Sequence, residues 1–324
     1  MEFIQLAANN LLSPIILSFA LGLLAALARS DLSIPEAVAK GMSIYLLFAI
    51  GFKGGASFAD HGIDATLVAT LLAGVTLSAG LPFIAFLLLQ VMSKLSRTDA
   101  AAVSAHYGSI SIVTFVAATS VLESSNIASE GYMVAVAAVM EAPAILSALW
   151  LVARGGQKGK LEPELIKEIL TNGSIVLLVG AFVIGALTGT KGLEQIASFI
   201  VNPFQGVLCL FLLDMGLIAG RGLQQSKGTM TPRLIAFGVI MPLVGSVIGM
   251  GFGYLIGLSL GGVVLLMVLS ASASYIAVPA AMRVALPQAN PSIYLTLSLG
   301  VTFPFNLTLG IPLYLAMASF LIGS

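Results

Sequence analysis

The sequence is dominated by apolar runs of about 20 residues, the length an α-helix needs to cross the hydrocarbon core of a bilayer. Ten such runs lie near 9–28, 34–51, 66–92, 100–119, 131–153, 171–189, 199–219, 233–257, 261–282 and 293–321. Backbone polar groups surrounded by lipid must be satisfied within their own segment, so the runs are helices and not strands. Only 9% of residues are charged, against about 25% in a soluble globular domain. The chain therefore reads as an all-α integral membrane protein with ten transmembrane helices. No basic stretch precedes residues 9–28 and no small-residue cleavage site follows, so this run reads as a first span and not as a signal peptide.

Charge and cysteine usage exclude several classes of function. The 14 basic residues balance the 14 acidic ones, so no nucleic-acid partner is implied. A single cysteine, Cys209, rules out a disulfide framework and a cysteine-based metal cluster. The placement of Lys and Arg gives an orientation. With the N-terminus outside, Arg29, Lys40, Lys94, Arg97, Arg154, Lys158, Lys160, Lys167, Arg221, Lys227, Arg233 and Arg283 fall on or beside cytoplasmic loops. Lys53 and Lys191 alone fall outside. Twelve against two supports the count of ten. It places both termini in the periplasm of a bacterial inner membrane.

The longest polar stretch, 154–168, divides the chain into a first half, 1–153, and a second, 169–324. The halves echo one another. Leu46-Leu47-Phe48-Ala49-Ile50-Gly51 before Gly55 answers Phe211-Leu212-Leu213-Asp214-Met215-Gly216 before Gly220. Ser109-Ile110-Ser111 and Ala117-Ala118 in the fourth span answer Ser272-Ala273-Ser274 and Ala280-Ala281 in the ninth. Tyr132 and Pro143 answer Tyr294 and Pro304, and the offset stays near 161–165. Five spans per half is odd, so the second half must be inverted relative to the first. A 5+5 inverted repeat is an architecture of alternating-access carriers.

The fourth and ninth spans carry the polar chemistry: His106-Tyr107-Gly108-Ser109-Ile110-Ser111-Ile112-Val113-Thr114 and Ser270-Ala271-Ser272-Ala273-Ser274-Tyr275-Ile276-Ala277-Val278-Pro279. Gly108 weakens a helix, and Pro279 removes a backbone donor and clashes with the preceding turn. Both spans are thus expected to break near the membrane midplane and to cross. The N-terminus of each second half-helix carries about +0.5 charge, so two of them facing one point suit a small monovalent anion. Gly108, Ser109, Ser111, Ser272, Ser274 and Tyr275 are the expected substrate contacts. Ionisable and polar groups within spans are functional candidates, and hard cations take oxygen ligands. Thr114, Glu141, Thr302 and Asn306 are the expected sodium ligands. Asp214 is a weaker candidate, because the seventh span need not face the breaks. Small residues and hydroxyls also line packed membrane helices that hold no ligand. Their recurrence at corresponding positions favours a site. His106, read as the start of the fourth span, is taken as a structural polar group. An intramembrane serine hydrolase would need a nucleophile, a base and an orienting third group. His106 with Ser109 supplies only the first two, so no enzyme is expected.

These residues resemble the sodium-dependent bicarbonate transporters first described in cyanobacteria. The likeness rests on Gly108-x-x-Ser111-x-x-Thr114 with Ala117-Ala118 and Leu122-Glu123, on Glu141-Ala142-Pro143 where cyanobacterial members have Asp-Ile-Pro, on Leu260-Gly261-Gly262-Val263-Val264, and on Asn290-Pro291-Ser292-x-Tyr294. It implies a scaffold of spans one, two, six and seven that forms a homotrimer in membrane lipid. It implies a mobile core of the other spans that holds bicarbonate and sodium, with no other cofactor. For cyanobacterial members it implies a PII-like regulator at the cytoplasmic face. Here Ile112-Val113 replaces a Gly-Ser pair, Tyr275 replaces an Asp, and the linker is shorter. Tyr275 removes a charge and adds an aromatic ring, which predicts weaker sodium binding.

The sequence thus reads as a sodium-coupled symporter of a small monovalent anion, bicarbonate first, by alternating access. The alternatives are a sodium-coupled carrier of an organic monocarboxylate and an anion channel. With single cysteines introduced at Glu2, Ser324 and Gln157 in a Cys209→Ser background, an impermeant thiol reagent applied to intact cells should label the two terminal sites only. Labelling of Gln157→Cys would overturn the orientation.

Overall fold

The computed structural model describes residues 11–61, 64–154, 173–225 and 230–322. The central linker beyond Arg154, and the terminal positions Glu2 and Ser324, lie outside them. All the regular secondary structure among the described residues is helical, with no strand. In chain order the helices are α1 (Pro14–Leu27), α2 (Glu36–His61), α3 (Ala65–Met92), α4 (Arg97–Gly108), α5 (Ile112–Ser124), α6 (Met133–Val139), α7 (Pro143–Ala153), α8 (Gly173–Ile200), α9 (Phe204–Gln225), α10 (Pro232–Ile256), α11 (Leu260–Ala271) and α12 (Ala277–Ala285). The last span, Pro291–Ile322, is built from α13 (Pro291–Leu295), a π segment (Thr296–Thr302), α14 (Phe303–Phe305), a second π segment (Asn306–Gly310) and α15 (Ile311–Ile322).

Eight helical stretches are long and apolar enough to cross a membrane, counting Arg97–Ser124, Met133–Ala153 and Pro291–Ile322 each as one. The apolar helices α1 and α11 are shorter, with 14 and 12 residues. Several boundaries differ from the sequence reading. α2 continues to His61, so Lys53 lies within a helix and not in a loop. α8 runs from 173 to 200 with a kink at Gly189 (φ 60°), which places Lys191 on a helix as well. Local chemistry explains many of the helix starts. Ser13, Asp64, Ser96, Thr231, Ser259 and Asn290 each accept a backbone N–H of the first turn. A proline follows at once in α1, α10 and α13, where its missing donor costs nothing.

The helices gather into two bodies. In the first, α1 packs along α9 and α8 along α2. The second holds α3 to α7 and α10 to α15. They meet mainly where α9 lies against the Thr296–Thr302 segment and α8 against α6. Lipid supplies no hydrophobic drive between helices, so the first body depends on close backbone approach. Gly51 and Gly55 face the carbonyls of Leu178 and Phe182 on α8, and Gly216 and Gly220 face Phe19 and Ala26 on α1. These are two small-xxx-small pairs. A methyl at Gly55 would run into the Phe182 carbonyl, whereas one at Gly180 on α8 would meet nothing within 4 Å.

Gly55→Ala should therefore destabilise the protein by about 1–3 kcal/mol through overpacking. Gly180→Ala should leave stability unchanged or raise it by up to about 1 kcal/mol. Thermal unfolding in detergent checks both, and equal midpoints would contradict this packing.

Candidate substrate and ion site

Both expected breaks are present. α4 ends at Gly108 and α5 begins at Ile112, with Ser109-Ile110-Ser111 extended between them. α11 ends at Ala271 and α12 begins at Ala277, with Ser272 to Ile276 between them. Pro279 sits in the first turn of α12 and not at the break itself. A proline is tolerated there because that N–H has no intrahelical partner.

The two breaks meet. The amide of Ser111 donates to Ser272 Oγ at 2.9 Å, and the amide of Ser274 donates to the His106 carbonyl at 2.8 Å. His106 Nδ1 donates to the Ser274 carbonyl, which fixes the ring tautomer. Backbone groups freed by each break are thus partly satisfied by the other break. Ser272 Oγ also donates to the Leu269 carbonyl at 3.0 Å. Ser111 caps α5, its Oγ accepting from Thr114 N at 3.2 Å and Thr114 Oγ1 at 2.8 Å.

Glu141 lies in a third interruption, between α6 and α7, and Ser109 Oγ donates to its Oε2 at 3.1 Å. The carboxyl is buried and tied to the first break. Asn306 opens the second π segment. Its Nδ2 donates to the Ala271 carbonyl at 2.9 Å, and its Oδ1 accepts from Tyr314 OH at 2.7 Å. Asn306 thereby caps the end of α11. Thr302 Oγ1 donates to the Gly238 carbonyl at 2.7 Å and pairs with Tyr107 OH at 2.6 Å. π segments widen a helix turn and recur at functional positions. Here they aim both residues across the second body.

Ser109, Ser111, Thr114, Glu141, Ser272, Ser274 and Asn306 are therefore joined through the crossing. Gly108 turns its open side to the Pro82 ring of α3, which leaves its backbone as the part that can meet a ligand. Tyr275 packs edge-on to Phe303 at 5.3 Å, and its hydroxyl approaches Ser111 without forming a well-made hydrogen bond. Asp214 is buried on α9, in the other body. His106 was misplaced by the sequence reading. It occupies the last turn of α4, fully buried, stacked on Tyr294 at 4.6 Å, with Nε2 unpartnered among the described residues. Its place two residues before Gly108 carried that signal.

No group of three or more His, Cys, Asp or Glu side chains among the described residues is placed to hold a metal ion. The crossing offers hydroxyls, an amide and one carboxyl, the oxygen donors a hard monovalent cation takes. A cavity of about 500 Å³ between α9 and the last span, lined by Met215, Arg221, Ser292 and Leu299, reaches Tyr275. A second, of about 510 Å³, enters between α1, α5, α9 and α15 and is lined by Ala117 and Leu307.

Apolar helices around two interrupted, mutually bonded ones make this an integral membrane protein of the transporter class. The family model of the Na+-dependent bicarbonate transporter superfamily matches residues 14–319, and the chain belongs to that family. It is a membrane transporter and not an enzyme, from a family that is Na+-dependent and takes a small anion. Comparison with curated proteins gives no match.

Asn306→Ala would leave the Ala271 carbonyl and the Tyr314 hydroxyl unpaired in a buried site. Each such group costs about 1–3 kcal/mol, so the expected loss for the two is about 2–6 kcal/mol in thermal unfolding. Adding Tyr314→Phe should then cost less than it does alone, the non-additivity of directly bonded groups. Additive losses would break the Asn306–Tyr314 link.

Proposed function

We propose that the chain is a sodium-coupled symporter of bicarbonate, working by alternating access. The observation that carries this is the mutual bonding of the two breaks, Ser111 N to Ser272 Oγ, at positions 161 residues apart in a chain of this family. The same offset supports two inverted repeats of five spans, ten in all, as do the packing pairs α1 with α9 and α8 with α2. In this reading α1, α2, α8 and α9 are the scaffold, and the other helices form the body that moves as an elevator or by rocking. The termini are periplasmic and the membrane is the bacterial inner membrane. A homotrimer forms through the scaffold, whose α8 is the most exposed of the spans. A PII-like regulator is an expectation for the cytoplasmic face, limited by the short linker.

The anion is held by the N-terminus of α5 and by Ser109, Ser111, Ser272 and Ser274. Sodium is held by oxygens of the same crossing, with Glu141 the charged member and Thr114 beside it. Thr302 and Asn306 act through the last span, by aligning Tyr107 and the end of α11. One Na+ with one monovalent anion moves no net charge, so the sodium concentration gradient alone drives uptake. A second reading, an organic monocarboxylate as substrate, draws on the apolar lining of the Tyr275 cavity, which includes Met215, Ile218, Leu295 and Leu299.

The test is radiolabelled bicarbonate uptake into proteoliposomes with and without an inward sodium gradient. Saturable, sodium-dependent uptake is expected. Glu141→Ala should raise the sodium concentration for half-maximal transport about tenfold or more, the size of a lost charged contact. Asp214→Ala should change it far less. Equal, small effects would remove Glu141 from the site. Uptake of acetate or pyruvate but not bicarbonate would favour the second reading, and non-saturable flux would mean a channel.

A further inference from the structure

One ion pair is present among the described residues, and it joins the two bodies. Lys53 Nζ lies 2.6 Å from Glu123 Oε1. Lys53 is on α2, in the first body, and Glu123 is in the last turn of α5, in the second. Beside the pair the backbones touch. A Cβ at Gly54 would lie 2.8 Å from the Gly131 carbonyl, and one at Gly131 would lie 2.9 Å from the Gly54 carbonyl. Lys53 also stands 5.4 Å from the ring centre of Phe204, the first residue of α9. Glu130 lines the same cavity, of about 160 Å³, but its oxygens accept from Ser259 N at 2.7 Å and Ser259 Oγ at 3.0 Å. It is committed to the start of α11, which leaves Glu123 as the counter-ion of Lys53.

The other membrane face is different. α9 has 22 residues, about 33 Å of helix, so its far end at Arg221 lies across the bilayer from Phe204. There the cavity of about 500 Å³ separates α9 from the last span and reaches Tyr275 beside the second break. On the Lys53 face the bodies are closed between α2 and the α5–α6 corner. On the opposite side of α5 the cavity of about 510 Å³ enters as far as Ala117 and Leu307, the latter next to Asn306. The bodies are thus clasped by an ion pair between α2 and α5, while cavities of similar size lie between them on the other side of α5 and beside Arg221.

We infer that Lys53 and Glu123 form a charged latch that holds the two bodies together between α2 and α5 and must release for them to part along that seam. The inference rests on the alternating-access reading above. Partial exposure suits the role. The side chains are 27% and 45% exposed, so water screens the pair, and a screened pair biases a balanced two-state equilibrium only a few-fold. A buried pair would be too costly to break in each cycle. Thr119, one turn of α5 inside Glu123, lines the same cavity as Lys53 and Glu123.

The experiment uses the full-length protein in proteoliposomes, in a Cys209→Ser background, with a water-soluble maleimide. One reporter is Thr119→Cys. The other is Ile276→Cys, on the opposite cavity and 40% exposed. Lys53→Gln and Glu123→Gln should each speed labelling of Thr119→Cys about two- to fivefold and slow that of Ile276→Cys. The double variant Lys53→Glu/Glu123→Lys should return both rates to those of the parent, and Lys53→Arg should leave them unchanged. Either single neutralisation reads the latch, so one that fails to fold does not block the test. Unchanged rates in both neutralised variants, or no recovery on charge exchange, would overturn the latch. Bicarbonate uptake by the same vesicles reports separately on the substrate. Shifted labelling without uptake would keep the latch and reject bicarbonate.

Discussion

A helix interrupted within a bilayer leaves amide and carbonyl groups that lipid cannot satisfy, and this constraint organises the molecule. The two interruptions answer it by bonding to each other, through Ser111 N to Ser272 Oγ and Ser274 N to the His106 carbonyl. Side chains from neighbouring spans complete the set, with Asn306 on the Ala271 carbonyl and Ser78 on the Met140 carbonyl. The polar centre of the membrane domain is therefore a single bonded unit. A ligand there meets groups already held in place, which lowers the entropic cost of recognition.

The rest of the fold follows from housing that unit. A polar crossing needs protein on every side, and Arg97–Ser124, which contains the first break, is the most deeply buried of the long spans. The glycine-lined pairs α1–α9 and α2–α8 make a separate body with its own cohesion, touching the second along limited seams. Two internally cohesive bodies with sparse contact between them can move as rigid units, because packed interiors resist continuous deformation.

Much of this was legible in the sequence. The apolar helices, the two break segments and the recurrence of Gly51/Gly55 at Gly216/Gly220 and of Ser109/Ser111 at Ser272/Ser274 can be read from composition, spacing and repetition. Errors arose where a local rule was pressed too far. Pro279 reads as the breaking residue, yet a proline fits the first turn of α12, so the break precedes it. Lys53 reads as a loop marker because charge is costly in lipid. α2 carries it within a helix because Glu123 and the Phe204 ring receive it from the other elements. His106 reads as the start of a span for the same reason, and stacking on Tyr294 and bonding to Ser274 are what bury it.

By itself the sequence determined that this chain lives in a membrane, that apolar helices make up most of it and that two polar segments interrupt them, because those properties depend on apolar length and on residues close along the chain. Only the tertiary structure decided who answers whom: Glu141 with Ser109, 32 residues apart; Asn306 with Ala271, 35 apart; Lys53 with Glu123, 70 apart. It also decided that the open side of Gly108 lies against the Pro82 ring. A polar side chain in an apolar span announces that it needs a partner. Which partner it finds depends on how helices distant in sequence cross, and no local pattern encodes that.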